Sequence, residues 1–151
     1  MKALVQRVSE ASVSSGGEVR GKIGRGLLVL TGFGRSDSKK DLEWMTNKIL
    51  GLRIFSDPQE NMNLSVSDIR GGILVVSQFT LHADTRKGRR PSFIAAADPA
   101  EARTMYGLFV RMLSGSGLDV QSGVFGAMMD VSLVNDGPVT IMIDSPSERA
   151  Q

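Results

Sequence analysis

The chain is organised around Ile73-Leu74-Val75-Val76-Ser77-Gln78-Phe79-Thr80-Leu81. Its first four residues form a continuous apolar run, which is typical of a β-strand that is buried on both faces. Three polar side chains, Ser77, Gln78 and Thr80, follow in a strand that is too apolar to be solvated. They must therefore either find protein partners, as caps of a core strand, or face a pocket.

The length and composition describe one globular domain. The chain has 151 residues, of which 41% are hydrophobic and 23% are charged, and it contains no cysteine. A chain of this length can bury a core without disulfide or metal cross-links. Because it has no cysteine, disulfides, thiolate catalysis and cysteine-based zinc sites are excluded. No apolar run approaches the roughly 20 residues that cross a bilayer. We expect a cytoplasmic domain at residues 1–144 and a disordered tail at 145–151.

The order of predicted elements is that of a sheet-rich α/β domain with two helices. Ser38 and Asp41 have the spacing of a capping box at the start of the first helix, which should end at Gly51. Asp98 and Pro99 supply an N-cap and a first-turn proline for the second helix, which should end at Gly115 or Gly117. Besides the central strand, the predicted strands are 2–8, 11–14, 18–23, 27–32, 53–55, 118–123, 128–134 and 139–143.

Asp136-Gly137 lies between the last two predicted strands and is a common hairpin signal. We therefore expect the chain to reverse there. Pro138 is unusual for a simple hairpin, because it removes a ladder donor at the start of the returning strand. The local sequence does not predict a cis peptide bond before it.

Basic residues are concentrated in the loop that follows the central strand. The net charge is only +2, yet Arg86, Lys87, Arg89 and Arg90 fall within five positions. A charge run of this kind is either a solvated loop or a set of phosphate contacts beside a pocket.

The sequence offers little conventional catalytic machinery. A nucleophilic Ser77 or Thr80 would need a base, and the only histidine is His82. In an extended strand Thr80 and His82 would share a face, but no acid is placed to orient the ring, and we expect His82 to be solvated. The acidic residues lack metal-ligand spacing. What remains is catalysis by positioning and by main-chain N–H groups.

Two motifs resemble the motif pair of the D-aminoacyl-tRNA deacylases. They are Ser77-Gln78-Phe79-Thr80-Leu81 and Asn135-Asp136-Gly137-Pro138-Val139-Thr140. The similarity covers residues 1–144, with one departure at Gln59-Glu60-Asn61, where the family more usually has Gly-Lys. Further matching pieces occur in order along the chain: Arg7-Val8, 24–30, 52–55, Met62-Asn63, 88–93 and Phe125-Gly126.

The resemblance implies a three-layer β/β/α domain in a homodimer, with the two sites at the subunit interface. The implied reaction is hydrolysis of the ester of D-aminoacyl-tRNA by the segment Ser77, Gln78, Phe79 and Thr80. The ester carbonyl would lie near the backbone of Phe79 and Thr80, with Gln78 holding the adenosine or ribose and Phe79 walling the pocket. The attack could be activated by the Thr80 hydroxyl or by the 2′-hydroxyl of the terminal adenosine, and we favour the second.

The resemblance also implies how L-aminoacyl groups are refused. A cis Gly137-Pro138 peptide, held by Arg7, would reach into the partner's pocket and block an L side chain, so that glycyl-tRNA is also cleaved. The implied substrate pocket includes Phe125, Met129 and Thr140, and the implied tRNA contacts are Arg86, Lys87, Arg89 and Arg90. Aminoacyl-tRNA would be the partner, with no cofactor, metal, DNA or membrane involved.

Two other functions compete with this one. An RNA-binding module could hold tRNA ends without chemistry, although it would not need polar groups at the end of a buried strand. A small-ester hydrolase could use Thr80 directly, although the histidine and acid of an esterase triad are missing.

Overall fold

A computed structural model describes residues 1–146 as eight strands and two α-helices, and the remainder of the predicted tail lies outside the described residues. Within these described residues, no helix is long and apolar enough to span a membrane. The elements in chain order are β1 (Lys2–Ser15), β2 (Glu18–Ile23), β3 (Gly26–Gly32), α1 (Lys39–Gly51), β4 (Phe55–Ser56), β5 (Met62–Leu64), β6 (Gly72–Ser77), a 3₁₀ helix (Phe79–His82), α2 (Pro99–Ser114), β7 (Val120–Ser122) and β8 (Asp130–Asp144).

The central strand β6 is buried on both faces, as its unbroken apolar run predicts. Ile73 and Val75 pack in the larger core cluster with residues of both helices. Leu74 and Val76 point to the other face and pack in a second cluster with side chains of β1, β2 and β8. Because successive side chains in a strand alternate between faces, one apolar run supplies both clusters.

The main sheet curls towards a barrel. The first half of β1 pairs antiparallel with β3, β3 pairs parallel with β6, and β6 pairs parallel with β7. The second half of β1 pairs with β2, which comes back over β6, so that a Cβ on Gly21 would lie 3.0 Å from Leu74 Cδ1. The prediction of a sheet-rich single domain with two helices is confirmed.

Both helices begin where the capping signals predict. The Asp41 carboxylate accepts hydrogen bonds from the N–H and the hydroxyl of Ser38, at 2.9 and 2.8 Å. α2 has Asp98 at its N-cap and Pro99 in its first turn, and it ends at Ser114, just before Gly115. The first turn of α2 contributes to the site described below.

The predicted hairpin at Asp136-Gly137 is wrong. β8 continues without reversal, and both of its halves pair antiparallel with β1, from Ser14 opposite Asp130 to Lys2 opposite Asp144. At one point the residues 136–139 stand opposite Arg7 alone, so this segment bulges out of the ladder. The turn-like residues therefore form a bulge between two halves of one strand, and the Gly137-Pro138 peptide within it is cis.

The predicted strands 2–8 and 11–14 form one strand of 14 residues, β1, whose pairing with β8 shifts register between Val8 and Glu10. Two smaller predictions differ from the structure. The polar loop after Phe55 carries a short strand, β5, that pairs with β4. Ser145, which the sequence assigned to the tail, is fully buried and its hydroxyl accepts a hydrogen bond from the Met1 amine at 2.6 Å.

Candidate active site

The polar segment after β6 is a 3₁₀ turn and not the extended strand that was predicted through Leu81. β6 ends at Ser77, and the Gln78 N–H donates to the Thr31 carbonyl at 2.7 Å, which fixes the start of the turn to the end of β3. The approach is so close that a Cβ on Gly32 would lie 2.8 Å from the Gln78 carbonyl oxygen. A side chain at Gly32 would therefore displace the turn.

The turn presents two consecutive main-chain N–H groups. Its first internal hydrogen bond joins the Leu81 N–H to the Gln78 carbonyl at 3.2 Å, so the N–H groups of Phe79 and Thr80 precede the ladder. Gln78 provides no side-chain cap for them. Orphan donors at the start of a helical turn are suited to binding a developing negative charge.

His82 does not form a base for Thr80. The turn places Thr80 and His82 on different sides, because residues two apart in a 3₁₀ helix do not share a face. The prediction that His82 is solvated is also wrong: it is only 4% exposed, and its ring packs against Gly32. The Thr80 hydroxyl instead accepts a hydrogen bond from Gln78 Nε2 at 2.5 Å.

A cavity of about 540 Å³ opens beside this turn. Five residues predicted for the site line it: Ser77, Gln78, Phe79, Phe125 and Met129. The other walls come from the end of β3, the first turn of α2 and the loop that follows β7, and they are mostly apolar. Thr80 and Thr140 are not among the lining residues, so the structure brings together only part of the predicted set.

Tyr106 is a supporting residue that the sequence analysis missed. Its hydroxyl donates to the Val75 carbonyl at 2.9 Å, two residues before Ser77, and its ring centroid lies 5.7 Å from that of Phe125. Burial raises the pKa of Tyr106 to about 12. The sequence carries no signal for this role, because only the packing of α2 against the loop after β7 brings Tyr106 to Phe125.

The bulge at 136–139 is held from two sides. Arg7 Nε donates to the Asp136 carbonyl at 3.1 Å, and Arg7 Nη1 donates to the Ile54 carbonyl at 2.7 Å. From within β8, Asn135 Oδ1 accepts the Val139 N–H at 2.9 Å and Asn135 Nδ2 donates to Thr140 Oγ1 at 2.9 Å. Asn135, for which no role was predicted, thus closes the bulge from within its own strand.

The held bulge does not reach the cavity of its own chain. Gly137 and Pro138 are exposed, and neither they nor Arg7 line the cavity. Gly137 has a φ of +125°, and a Cβ there would lie 2.8 Å from Arg7 Nη2. Only glycine suits this position, because both the backbone conformation and the contact with Arg7 exclude a side chain.

The basic loop is exposed and its four cations are not equivalent. The Arg86 side chain makes two hydrogen bonds to the Asp84 carboxylate, at 2.9 and 2.7 Å, and the Arg86 N–H makes a third at 3.0 Å. These bonds hold the pKa of Asp84 at about 2. Lys87, Arg89 and Arg90 have no acidic partner within residues 1–146. The same described part of the chain contains no cluster of His, Asp and Glu that could hold a metal ion.

Comparison with known proteins decides the family. The family model described as D-Tyr-tRNA(Tyr) deacylase matches residues 4–144. The chain belongs to the D-aminoacyl-tRNA deacylase family. A D-aminoacyl-tRNA deacylase of Desulfitobacterium hafniense (strain DSM 10664 / DCB-2) is 57% identical over 145 residues, covering 96% of this chain and 97% of that protein. One of Chloroherpeton thalassium is 56% identical over 150 residues and covers 99% of both.

Solved structures agree with this deacylase assignment in fold. The structure named "c-Myc DNA Unwinding Element Binding Protein" is 45% identical, with a TM-score of 0.91, and the match covers 97% of this chain and 99% of that one. A probable eukaryotic D-amino acid tRNA deacylase matches with a TM-score of 0.82 at 20% identity, over 94% and 97% of the two chains. The chain is a deacylase that hydrolyses the aminoacyl-tRNA ester bond, so an RNA-binding module without chemistry is excluded.

Proposed function

We propose that this deacylase releases D-amino acids, and glycine, from mischarged tRNA in the cytoplasm and so proofreads the chirality of translation. The family assignment supports the ester chemistry. The observation that carries the proposal is the pair of main-chain N–H groups on Phe79 and Thr80, at the start of a turn whose first residue, Phe79, lines the cavity. An aminoacyl ester is already activated, so donors that stabilise the oxyanion and a cavity that positions water suffice for hydrolysis.

The substrate supplies the group that activates water. The Thr80 hydroxyl accepts a hydrogen bond from Gln78, and His82 is buried on another side of the turn, so neither residue acts as a general base for Thr80. The 2′-hydroxyl of the terminal adenosine lies next to the ester in every aminoacyl-tRNA. We therefore assign it the activating role, with Gln78 holding the ribose or adenosine and Phe79 forming a wall.

The apolar part of the cavity receives the end of the substrate. A volume of about 540 Å³ is in the range of sites for a single drug-sized ligand, and it fits one aminoacylated nucleoside better than a duplex. Phe125 and Met129 would contact that nucleoside, with Thr140 nearby in the assembled dimer. We assign aminoacyl-tRNA, and not DNA, as the partner of this cavity.

L-aminoacyl groups are rejected by the bulge of a second subunit. Gly137 and Pro138 are exposed, rigidly held by Arg7 and Asn135, and outside their own cavity. In a homodimer the bulge would enter the partner's cavity and occupy the space of an L side chain. Discrimination would then come from a clash, and it can exceed the roughly 1–3 kcal/mol that an apolar pocket gains from one methylene.

The exposed basic loop is assigned to the tRNA backbone. Lys87, Arg89 and Arg90 are available for phosphate contacts, whereas Arg86 is already paired with Asp84. Each phosphate neutralised contributes to the salt dependence of binding.

One assay tests this function against its competitor. The protein is incubated with D-Tyr-tRNA, L-Tyr-tRNA and D-tyrosine methyl ester, and the rate of hydrolysis of each is compared with the rate in buffer. We expect only D-Tyr-tRNA to be cleaved, because the methyl ester lacks the 2′-hydroxyl. Rapid cleavage of the methyl ester that is lost in Thr80→Ala would instead establish a small-ester hydrolase with a Thr80 nucleophile.

A further inference from the structure

Arg103 lies at the edge of the cavity, on the first half of α2. Its Cζ atom is 5.0 Å from the centroid of the Phe125 ring, in the geometry of a cation–π contact. Its Nη2 atom would lie 3.6 Å from a Cβ on Gly126. Phe125, Gly126 and the preceding helical residue Ala102 all line the cavity. The guanidinium is therefore held at the rim by an aromatic ring.

The guanidinium has no acidic partner within residues 1–146. The positions three and four residues away on the helix are Pro99, Ala100, Tyr106 and Gly107, none of which is acidic. Arg7 and Arg86, by contrast, each pair with a carboxylate. An arginine that stacks on a ring keeps its N–H groups available, and these groups match the geometry of a phosphate.

We propose that Arg103 binds a phosphate of the tRNA acceptor end. This inference rests on the proposed function, in which the cavity takes the terminal aminoacylated nucleoside. The phosphodiester that joins this nucleoside to the rest of the strand must cross the rim, and Arg103 is fixed there. The contact is separate from the basic loop at 86–90, because it is made by a different element and lies next to the reacting end.

The test uses two substrates that differ in phosphate content. D-Tyr-tRNA carries the phosphodiester, and D-tyrosyl-adenosine has the same ester and the same 2′-hydroxyl but no phosphate. In Arg103→Gln we expect kcat/KM for D-Tyr-tRNA to fall about 5- to 10-fold through KM, and the log–log salt slope of tRNA binding to fall by about 0.7. The kcat/KM for D-tyrosyl-adenosine should stay within about 2-fold of the wild-type value, since no charged contact is lost.

Arg111→Gln is the matched control. Arg111 is an exposed arginine on the same helix, without an acidic partner in the described part of the chain, and it does not line the cavity. This variant should leave the kinetics with both substrates unchanged. Arg103→Lys should recover part of the tRNA affinity, because lysine still binds phosphate as a point charge.

Each contrary result has a distinct meaning. Equal losses on both substrates in Arg103→Gln would show that Arg103 only supports the Phe125 ring, and this would overturn the proposal. Wild-type kinetics together with an unchanged salt slope would overturn it as well. If the wild-type protein cleaves neither D-Tyr-tRNA nor D-tyrosyl-adenosine, the proposed function itself fails. If it cleaves only D-Tyr-tRNA, the salt slope of Arg103→Gln alone decides the proposal.

Discussion

Gly32→Ala should slow hydrolysis while leaving tRNA binding intact. The added methyl group would lie 2.8 Å from the Gln78 carbonyl oxygen and 3.0 Å from His82 Cδ2, where ordinary contacts begin near 3.4 Å. Both neighbours belong to the segment that carries the N–H groups of Phe79 and Thr80. The turn must therefore move by roughly half an ångström, and catalytic geometry is sensitive to displacements on the scale of 1 Å.

The size of the effect follows from the donors that move. Loss of one oxyanion donor costs about 10²–10³ in kcat, so a partial misalignment should cost about 10- to 100-fold. Overpacking should also destabilise the fold by about 1–3 kcal/mol. Single-turnover hydrolysis of D-Tyr-tRNA measures the first effect, and thermal unfolding measures the second.

Gly24→Ala is the matched control for this variant. Gly24 lies in the turn between β2 and β3, at the far end of β3 from Gly32, and no atom lies within 4 Å of a Cβ there. Its φ is not in the left-handed region. It should retain the wild-type rate. A wild-type rate in Gly32→Ala, with the destabilisation present, would refute the assignment of catalysis to the main chain of this turn.

Three further predictions concern Thr80, the basic loop and Tyr106. Thr80→Ala should keep most of the deacylase activity, because alanine retains the N–H group; loss of all activity with unchanged tRNA binding would support a Thr80 nucleophile. Replacing Lys87, Arg89 and Arg90 by glutamate should lower the log–log salt slope of tRNA binding by about 0.7–0.9 for each lost phosphate contact, and Arg86→Glu should lower it less. An unchanged slope would show that the loop is only a solvated surface. Burial raises the pKa of Tyr106 to about 12 from an unfolded value near 10, so the native state holds the phenol proton more tightly than the unfolded state does. The folded protein is therefore stabilised below pH 10, and this stabilisation is lost as the pH rises towards 12. The stability of the wild-type protein relative to Tyr106→Phe should therefore fall by about 2–3 kcal/mol over that range in denaturant titrations, and a constant difference would contradict it.

The elements that the sequence predicts correctly have local causes. The run Ile73–Val76 is apolar at every position, as a strand between two packed layers requires. The start of α1 is marked by short-range hydrogen bonds between Ser38 and Asp41. The start of α2 is marked by the restricted backbone of Pro99, which follows Asp98. These preferences depend on residues that are close in sequence, so the folded protein has the strand and the helix starts where the sequence predicts them.

The secondary-structure predictions are wrong where pairing with a strand distant in sequence overrides the preference of the local residues. Asp136-Gly137 has the residues of a hairpin turn, but the long strand β1 pairs with the chain on both sides of it, so a bulge forms instead. The Gln78 N–H makes the last bond of this segment to β3, at the Thr31 carbonyl, and the chain turns beyond it, so Thr80 and His82 lie outside the strand. Neither pairing can be read from the sequence around the affected residues.

The site was only partly predictable for the same reason. Ser77, Gln78 and Phe79 adjoin in sequence and reach the cavity together, and Phe125 and Met129 join them through the loop after β7. The contributions of Tyr106 and Arg103 depend on how α2 packs against that loop, which periodicity along the helix does not specify.

Single-turnover hydrolysis of D-Tyr-tRNA, L-Tyr-tRNA and glycyl-tRNA by one preparation of the protein tests the steric account most directly. Glycine has no side chain to clash with the bulge at Gly137-Pro138, so the account predicts cleavage of D-Tyr-tRNA and glycyl-tRNA and no cleavage of L-Tyr-tRNA. Hydrolysis of D-Tyr-tRNA without measurable action on glycyl-tRNA would contradict it, because selection would then require a pocket that binds the D side chain.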